Sequence, residues 1–324
     1  MLDTKLIIVT GSCGTGKSTT AKWLGEALQM NGIDCYYLHE ECQDHPIRGQ
    51  EFSYGSVTNA ADMDVNCSLM LDLWAQHRDD ILADGRLEVL EACLYENIIR
   101  YFFECNYPEN QILSFYQDLM EILEPLHPVI IHLRTRDMFS TLQQAFKTRG
   151  DRWRDLILKD RCKYYVEHGF EGDEGNYRLF EDYQSLAIQA YDRYQGPKLW
   201  LDTLAQDWDS YHKDICEFLG LEYFPPAAVI EYDPEDFTGR YETLINEKQC
   251  GFNIFYEDGQ LYCRSFWPYM ALESCGGDAF RFFSFPIHLQ FMRSQGKVYS
   301  VKVSGNYDWG LCGLELERID TKVH

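Results

Sequence analysis

The stretch GSCGTGKSTT, Gly11 to Thr20, follows the apolar run LIIVT and precedes a helical pattern, and no other segment constrains the fold as strongly. Its first eight residues, Gly11-Ser12-Cys13-Gly14-Thr15-Gly16-Lys17-Ser18, satisfy G-x-x-x-x-G-K-[ST] in full. Glycines in such a loop let backbone N–H groups curl around a β-phosphate, and the N-terminus of the following helix adds its partial positive charge. Lys17 then bridges the β- and γ-phosphates, the Ser18 hydroxyl ligates Mg2+, and Thr19 continues the cradle into the helix. A strand that runs through this loop into a helix belongs to an open parallel sheet.

The first 222 residues keep to that plan. Apolar, β-branched runs predict strands at 5–11, 34–40, 86–94, 128–135 and 198–203. Helical patterns lie among them: KSTTAKWLGEALQMNG with Gly32 as its stop, SLMLDLWAQHRDDILADG, ENQILSFYQDLMEILEPL, and DWDSYHKDICEFLGL, opened by an Asp cap and ending near Gly220. The expected fold is therefore α/β, a parallel sheet flanked by helices. Pro225, Pro226 and Pro234 mark 223–236 as a linker. Beyond it, 237–324 alternates in short runs with Asp258-Gly259 and Gln295-Gly296 as hairpin turns, a small antiparallel β domain.

Composition narrows the partners. With 29 Lys+Arg against 52 Asp+Glu, the net charge of −23 repels a nucleic-acid backbone and an anionic membrane surface, so neither polymer nor membrane is expected as a partner. Screening confines each charge to about 8–10 Å, so where the few cations stand matters more than their number. Twelve cysteines without a C-x-x-C pair, several in apolar runs such as LEACLYE, read as reduced, packed thiols of a cytoplasmic protein. The N-terminus shows no leader pattern, and no run of eighteen apolar residues occurs.

The first 220 residues resemble the kinase-like branch of the phosphate-loop NTPases: nucleoside and nucleotide kinases and small phosphotransferases acting on metabolites or antibiotics. No guanine-reading N-K-x-D segment is found, nor the apolar run ending in Asp-Glu of AAA-type motors. The resemblance implies ATP and Mg2+ as cofactors and a small-molecule phosphoryl acceptor. It also implies an acid at the end of the second strand that takes the acceptor's proton, and HEECQDHP offers Glu40, Glu41 and Asp44 there, with His45 as a substrate contact. RLEVLEAC ends its strand at Glu91, the place of a Walker-B-like carboxylate that holds Mg2+, and Glu88 inside the strand is the weaker candidate. Deoxynucleoside kinases carry Glu-Arg there; this chain has Glu91-Ala92, a departure that argues against a deoxynucleoside acceptor.

Residues 147–163, KTRGDRWRDLILKDRCK, hold seven cations against three acids, a local +4. Lys159 and Lys163 read as a solvated helix face, whereas the resemblance places an arginine lid here, with Arg149 and Arg152 facing the transferring phosphoryl group and Arg154 beside them. It also lays the adenine on Thr203-Leu204-Ala205. The C-terminal domain, through FTGRYETL, GFNIFYEDGQLYC and the closing hairpin, resembles the lipocalin-like β domain of some β-lactamase-type hydrolases. Its aromatics Phe252, Phe255, Tyr256, Tyr262, Phe266, Trp267 and Tyr269 are expected in the core, and it carries no catalytic constellation.

The function expected from these residues is an ATP- and Mg-dependent kinase acting on a small-molecule hydroxyl. The alternative is a nucleotide-binding regulator or sensor with slow ATPase activity. Oligomeric state is left open.

Overall fold

Every residue of β1 (Leu6–Gly11) is buried, as a β-branched run without polar alternation demands: the strand must be covered on both faces. In the computed structural model, which describes residues 3–48, 59–158, 162–225 and 231–319, it forms the centre of a parallel sheet. β2 (Cys35–Leu38), β3 (Leu87–Glu91), β4 (Val129–Arg134) and β5 (Lys198–Asp202) complete the order β2-β3-β1-β4-β5. The chain thus turns to one side of β1 first and to the other side afterwards. Such a switch point opens a crevice at the carboxyl ends of the central strands, where ligands of open α/β sheets bind.

Helices cover the sheet: α1 (Lys17–Met30), α2 (Ala60–Asp84), α3 (Glu96–Glu104), α4 (Glu109–Leu123), α5 (Met138–Arg149), α6 (Asp151–Leu158), α7 (Lys163–Glu167), α8 (Gly172–Arg193) and α9 (Trp208–Leu219). Ala21, Leu24 and Leu28 of α1 join Ile215 and Leu219 of α9 and Ile7, Val9 and Ile131 of the sheet in one apolar cluster. The Asp207 side chain caps α9 by accepting from the Ser210 N–H, and Gly220 ends it in the left-handed region. Among the described residues no helix is long and apolar enough to cross a membrane.

The chain divides into two compact units. One comprises Met1–Glu40, Asp44–Ala145 and Arg154–Pro225; the other comprises Glu41–Gln43, Phe146–Trp153 and Pro226–His324. Nothing in the sequence of the two short segments assigns them to the second unit. They belong to it by contact: the Asp308 N–H donates to the Glu41 carbonyl (3.0 Å), the Gln43 N–H donates to Asn306 Oδ1 (3.2 Å), and Arg149 packs on Trp267.

After the short α10 (Pro234–Phe237), the second unit runs through β6 (Gly239–Ile245), β7 (Lys248–Glu257), β8 (Gln260–Arg264), β9 (Met270–Gly276), β10 (Ala279–Phe282), β11 (Ile287–Ser294), β12 (Lys297–Gly305) and β13 (Glu315–Ile319). Consecutive strands pair antiparallel and β13 returns to β6, closing a barrel that leaves no edge exposed. Asp258-Gly259 and Gln295-Gly296 make the two expected tight turns with positive φ at both residues. Asn246-Glu247 makes a third with φ of 49° and 66°, and without glycine it leaves a weaker trace in the sequence.

Alternation sends Ile254, Leu261, Cys263, Leu272, Phe280 and Phe291 inward. The expected aromatic core is corrected by the same alternation. Phe252 is buried, and Phe266 and Trp267 pack partly against the core. Phe255 and Tyr262, paired across β7 and β8, point the other way and meet Tyr269 on the outer face with centroids 5.5–5.6 Å apart. Tyr256 shares the parity of Phe252 and Ile254 yet, at the end of β7 beside the Asp258-Gly259 turn, is 47% exposed.

Candidate active site

The phosphate-type loop is shaped by glycine where nothing else fits. Gly16 has φ of 86°, and a Cβ there would lie 2.2 Å from Cη2 of Trp208, the first residue of α9. At Gly14, also at φ of 86°, a Cβ would come within 3.1 Å of Thr141. Thr15 Oγ1 donates to the Ser12 carbonyl (2.8 Å) and closes the loop. No side-chain cap at Gly16 is found for α1 among the described residues, and a helix N-terminus of this kind directs its first N–H groups toward a ligand anion. Ser12 Oγ is buried without a hydrogen-bond partner among the described residues, an orphan donor that a phosphate oxygen would satisfy. Cys13 is partly exposed at the loop tip, and Ser18 and Thr19 follow Lys17 in the first turn of α1.

Two carboxylates from neighbouring strand ends converge on that loop. Glu91 ends β3, which pairs with β1, and Glu40 lies just past the end of β2, which pairs with β3. Lys17 Nζ stands 3.8 Å from Glu40 Oε1 and 3.8 Å from Glu91 Oε1. Ser18 Oγ donates to Glu91 Oε1 (3.0 Å), the Glu40 N–H donates to Glu91 Oε2 (3.0 Å), and His39 Nε2 lies 3.8 Å from the same oxygen. Glu91 is 0% exposed, whereas the Glu40 side chain keeps 19% of its surface. Burial, and secondly the charge of Glu40, push the Glu91 carboxyl up to about 7 against the pull of Lys17. Ala92 and Cys93 follow with φ of 59° and 62°, consecutive left-handed residues of a kind that persists where the surroundings enforce it.

The remaining sequence candidates separate. Glu88 faces the other side of β3, where Tyr36 OH donates to it and His77 Nε2 lies 2.8 Å away; the strand's period of two removes it from the metal position. Glu41 is exposed and belongs to the barrel unit. Asp44 is exposed at the loop tip with φ of 53°. His45 is buried and braces its own loop instead of facing outward: Nδ1 accepts from the Ile47 and Arg48 N–H groups (3.1 Å each), and Nε2 lies 3.6 Å from Cys93 Sγ. Burial, then the nearby Arg48, lowers its pKa to about 4.

Arg149 is held between two indoles, its Cζ 4.4 Å from the Trp153 ring centre and 4.5 Å from that of Trp267. Arg152 is exposed, and Arg154 pairs with Asp155 (3.2 Å). Lys159 and Arg161 lie outside the described residues. The Thr203-Leu204-Ala205 loop is tied to β4 and β5 through the Thr203 N–H on the Arg134 carbonyl and the Leu204 N–H on Asp202 Oδ1, and it leads into Trp208 against Gly16.

Three residues of this region escape a reading of the sequence. His39 adjoins Glu40 and was open to notice; Trp208 and Arg48 carry no local signal. Arg48 NH1 donates to the Glu40 carbonyl (2.8 Å) and lies 3.6 Å from Glu40 Oε2.

The donor set fits a nucleotide with Mg2+. Ser18 Oγ and the Glu91 carboxylate are hard oxygen ligands beside the loop, and Mg2+ takes one or two protein carboxylates together with phosphates and waters. No group of three His, Cys, Asp or Glu converges as a metal cage among the described residues.

No protein-family model and no curated protein matches the chain. Among solved structures it is similar to deoxyadenosine kinase from M. mycoides with bound dATP, at 17% identity and a TM-score of 0.38, over 65% of this chain and 98% of that one. It is also similar to the full-length tRNA isopentenylpyrophosphate transferase from Bacillus halodurans, at 13% identity and a TM-score of 0.25, over 67% of this chain and 97% of that one.

Proposed function

We propose that the protein is an ATP- and Mg-dependent phosphotransferase that moves the γ-phosphoryl group to a hydroxyl of a small molecule of nucleoside, sugar or antibiotic type. The observation that carries this reading is the meeting of Lys17 with two carboxylates of unlike environment, one sealed and bonded to Ser18, the other partly open. A sealed carboxylate beside a hydroxyl suits a metal; an open one at the mouth of the cradle suits a proton acceptor.

Residues 11–19 hold the phosphates, with Lys17 neutralising charge on the β- and γ-oxygens. Ser18 and Glu91 would hold Mg2+, which when bound would neutralise phosphate charge. The acceptor hydroxyl oxygen bonds to the γ-phosphorus, the bond from that phosphorus to the β–γ bridging oxygen breaks, and ADP leaves with its electron pair. Glu40 takes the acceptor proton. The loop 203–205 seats the base. Arg149 and Arg152, with Arg154, are the proposed lid cations; to act, Arg149 gives up its two indole faces. For the closed eight-stranded barrel we propose a supporting role.

The test is mass spectrometry of a library of nucleosides, sugars and aminoglycosides incubated with the protein and Mg-ATP. A phosphorylated compound formed in step with ADP supports the reading. One observation favours the alternative of a slow ATPase sensor, namely that the barrel unit includes Phe146–Trp153, which carries Arg149 and Arg152 of the 147–163 cluster read as the lid. ATP turned over only to free phosphate, with no phosphorylated compound, sinks the phosphotransferase and leaves the sensor.

A further inference from the structure

We infer that Arg48 is a positioning residue that holds the Glu40 carboxylate at the mouth of the phosphate cradle; this rests on the phosphotransferase reading. Glu40 stands beyond the last residue of β2, where the sheet ladder no longer fixes the chain. Its orientation therefore depends on what grips it. Arg48 grips it twice, through NH1 on the main-chain carbonyl at 2.8 Å and through the ion pair to Oε2 at 3.6 Å. The other carboxylate oxygen faces Lys17 at 3.8 Å.

Arg48 is itself tied down. Its N–H donates to His45 Nδ1 at 3.1 Å, the buried His45 ring reaches Cys93 Sγ at 3.6 Å, and Cys93 stands two residues past Glu91. Glu91 in turn accepts the Glu40 N–H. The contacts close a circuit from the end of β3 through the loop and back to the end of β2. A guanidinium suits this place because its donors form a rigid fork that can serve a carbonyl and a carboxylate together; an ammonium is a point charge on a flexible stem.

The circuit matters when nucleotide binds. Lys17 is then drawn to the phosphates, and its hold on Glu40 weakens. Arg48 is the cation that stays on Glu40, keeping the proton acceptor within reach of the attacking hydroxyl. A misplacement of 1 Å at such a group costs about 100-fold in rate.

The test uses the full chain as Arg48→Ala, Arg48→Lys, Glu40→Gln and the double variant Glu40→Gln/Arg48→Ala, with thermal midpoints measured for each. The probe is Mg-ATP, with ADP release followed first with water as acceptor and then with the hydroxyl compound that stimulates release most. We expect Arg48→Ala to lower kcat by about 10- to 100-fold with KM for Mg-ATP within about twofold, and Arg48→Lys to recover part of the loss. In the Glu40→Gln background the Arg48→Ala change should cost no more than about twofold, because its action runs through the missing carboxylate. An equal loss in both backgrounds, an unchanged kcat, or a loss confined to KM overturns the inference while the phosphotransferase reading stands. If Arg48→Ala does not fold, Arg48→Lys in the same two backgrounds decides. No ADP release from the wild-type protein overturns the reading and the inference together.

Discussion

The buried space around Glu91 at the carboxyl edge of the sheet and the interior of the barrel are filled on opposite principles. Around Glu91 the buried space holds Lys17, His39, Ser12 and a carboxylate pushed up to about 7. Inside the barrel it holds Tyr241, Phe280, Phe282, Phe291 and their apolar neighbours. The barrel's buried exceptions are partnered, Glu242 by Gln249 and Arg240, Ser300 by Glu315. Burying a carboxylate costs several kcal/mol unless it is paired, and Glu91 offsets that cost through Ser18, the Glu40 N–H and Lys17. The sheet edge gathers ionisable groups where the barrel interior gathers apolar ones, and the proposed function rests on the first.

Removing the cradle's cation gives the sharpest test of that division. Lys17→Ala should lower kcat/KM for Mg-ATP by about 10³-fold or more while near-ultraviolet circular dichroism of the barrel aromatics stays unchanged. A folded Lys17→Ala protein with wild-type turnover breaks the comparison outright. Next, Glu40→Gln should suppress kcat by about 10² to 10⁴ with Mg-ATP affinity little changed, whereas Glu91→Gln should chiefly raise the Mg2+ concentration needed for half-maximal rate. Indistinguishable metal titrations for the two variants would dissolve the separate roles assigned to the carboxylates.

On the barrel side the expected effects are structural. Phe280→Ala should cost about 3–5 kcal/mol in unfolding free energy, read by urea denaturation, because it opens a cavity among packed rings. Arg149→Lys should cost about 1 kcal/mol, since an ammonium cannot stack on both indoles as the planar guanidinium does. The proposed lid role adds a drop in kcat beyond about tenfold in the same variant, and an unchanged kcat would remove Arg149 from the lid.

A further effect depends on pH and concerns His212, which lies flat on Trp23 with centroids 3.7 Å apart and has a pKa lowered by burial to about 4. A histidine kept neutral in the fold but protonated in the unfolded chain withdraws stability as pH falls from about 6.5 toward 4. His212→Phe keeps the stacked ring and removes the proton site. Its stability relative to the wild type should therefore rise between pH 7.5 and pH 4.5, by on the order of 1–3 kcal/mol. A pH-independent difference between the two would show that burial does not hold His212 neutral.

Much of this architecture was legible without coordinates, for local reasons. LIIVTG reads as a strand buried on both faces because it has no polar alternation, and the Asp207 cap and Gly220 stop frame α9 because each acts within one helical turn. Asp258-Gly259 declared its hairpin through the glycine that a left-handed position favours, while Asn246-Glu247 makes the same kind of turn with residues common anywhere. The aromatic run of the barrel misled: Phe252 and Phe255 look alike as hydrophobes, and strand direction alone sends one inward and the other out. In the candidate site the glycine loop 11–18 was legible whole, since its parts are consecutive. Arg48 was not, because nothing near it in the chain announces Glu40.

The sequence by itself determined the parallel α/β half, the glycine loop with Lys17 and Ser18, and a β-rich remainder, since each of these follows from neighbours within a few residues. Only the tertiary structure decided how HEECQDHP divides. Glu40 turns to Lys17 and Glu91, Glu41 joins the barrel unit, Asp44 stays in solvent, and His45 becomes an internal brace. The reason is physical: adjacent residues on a strand or its tip point to different sides, and the register of β2 on β3 fixes which of them faces the loop. Contacts as distant in sequence as Ser18 with Glu91 exist only once β3 lies beside β1, and that pairing belongs to the sheet as a whole.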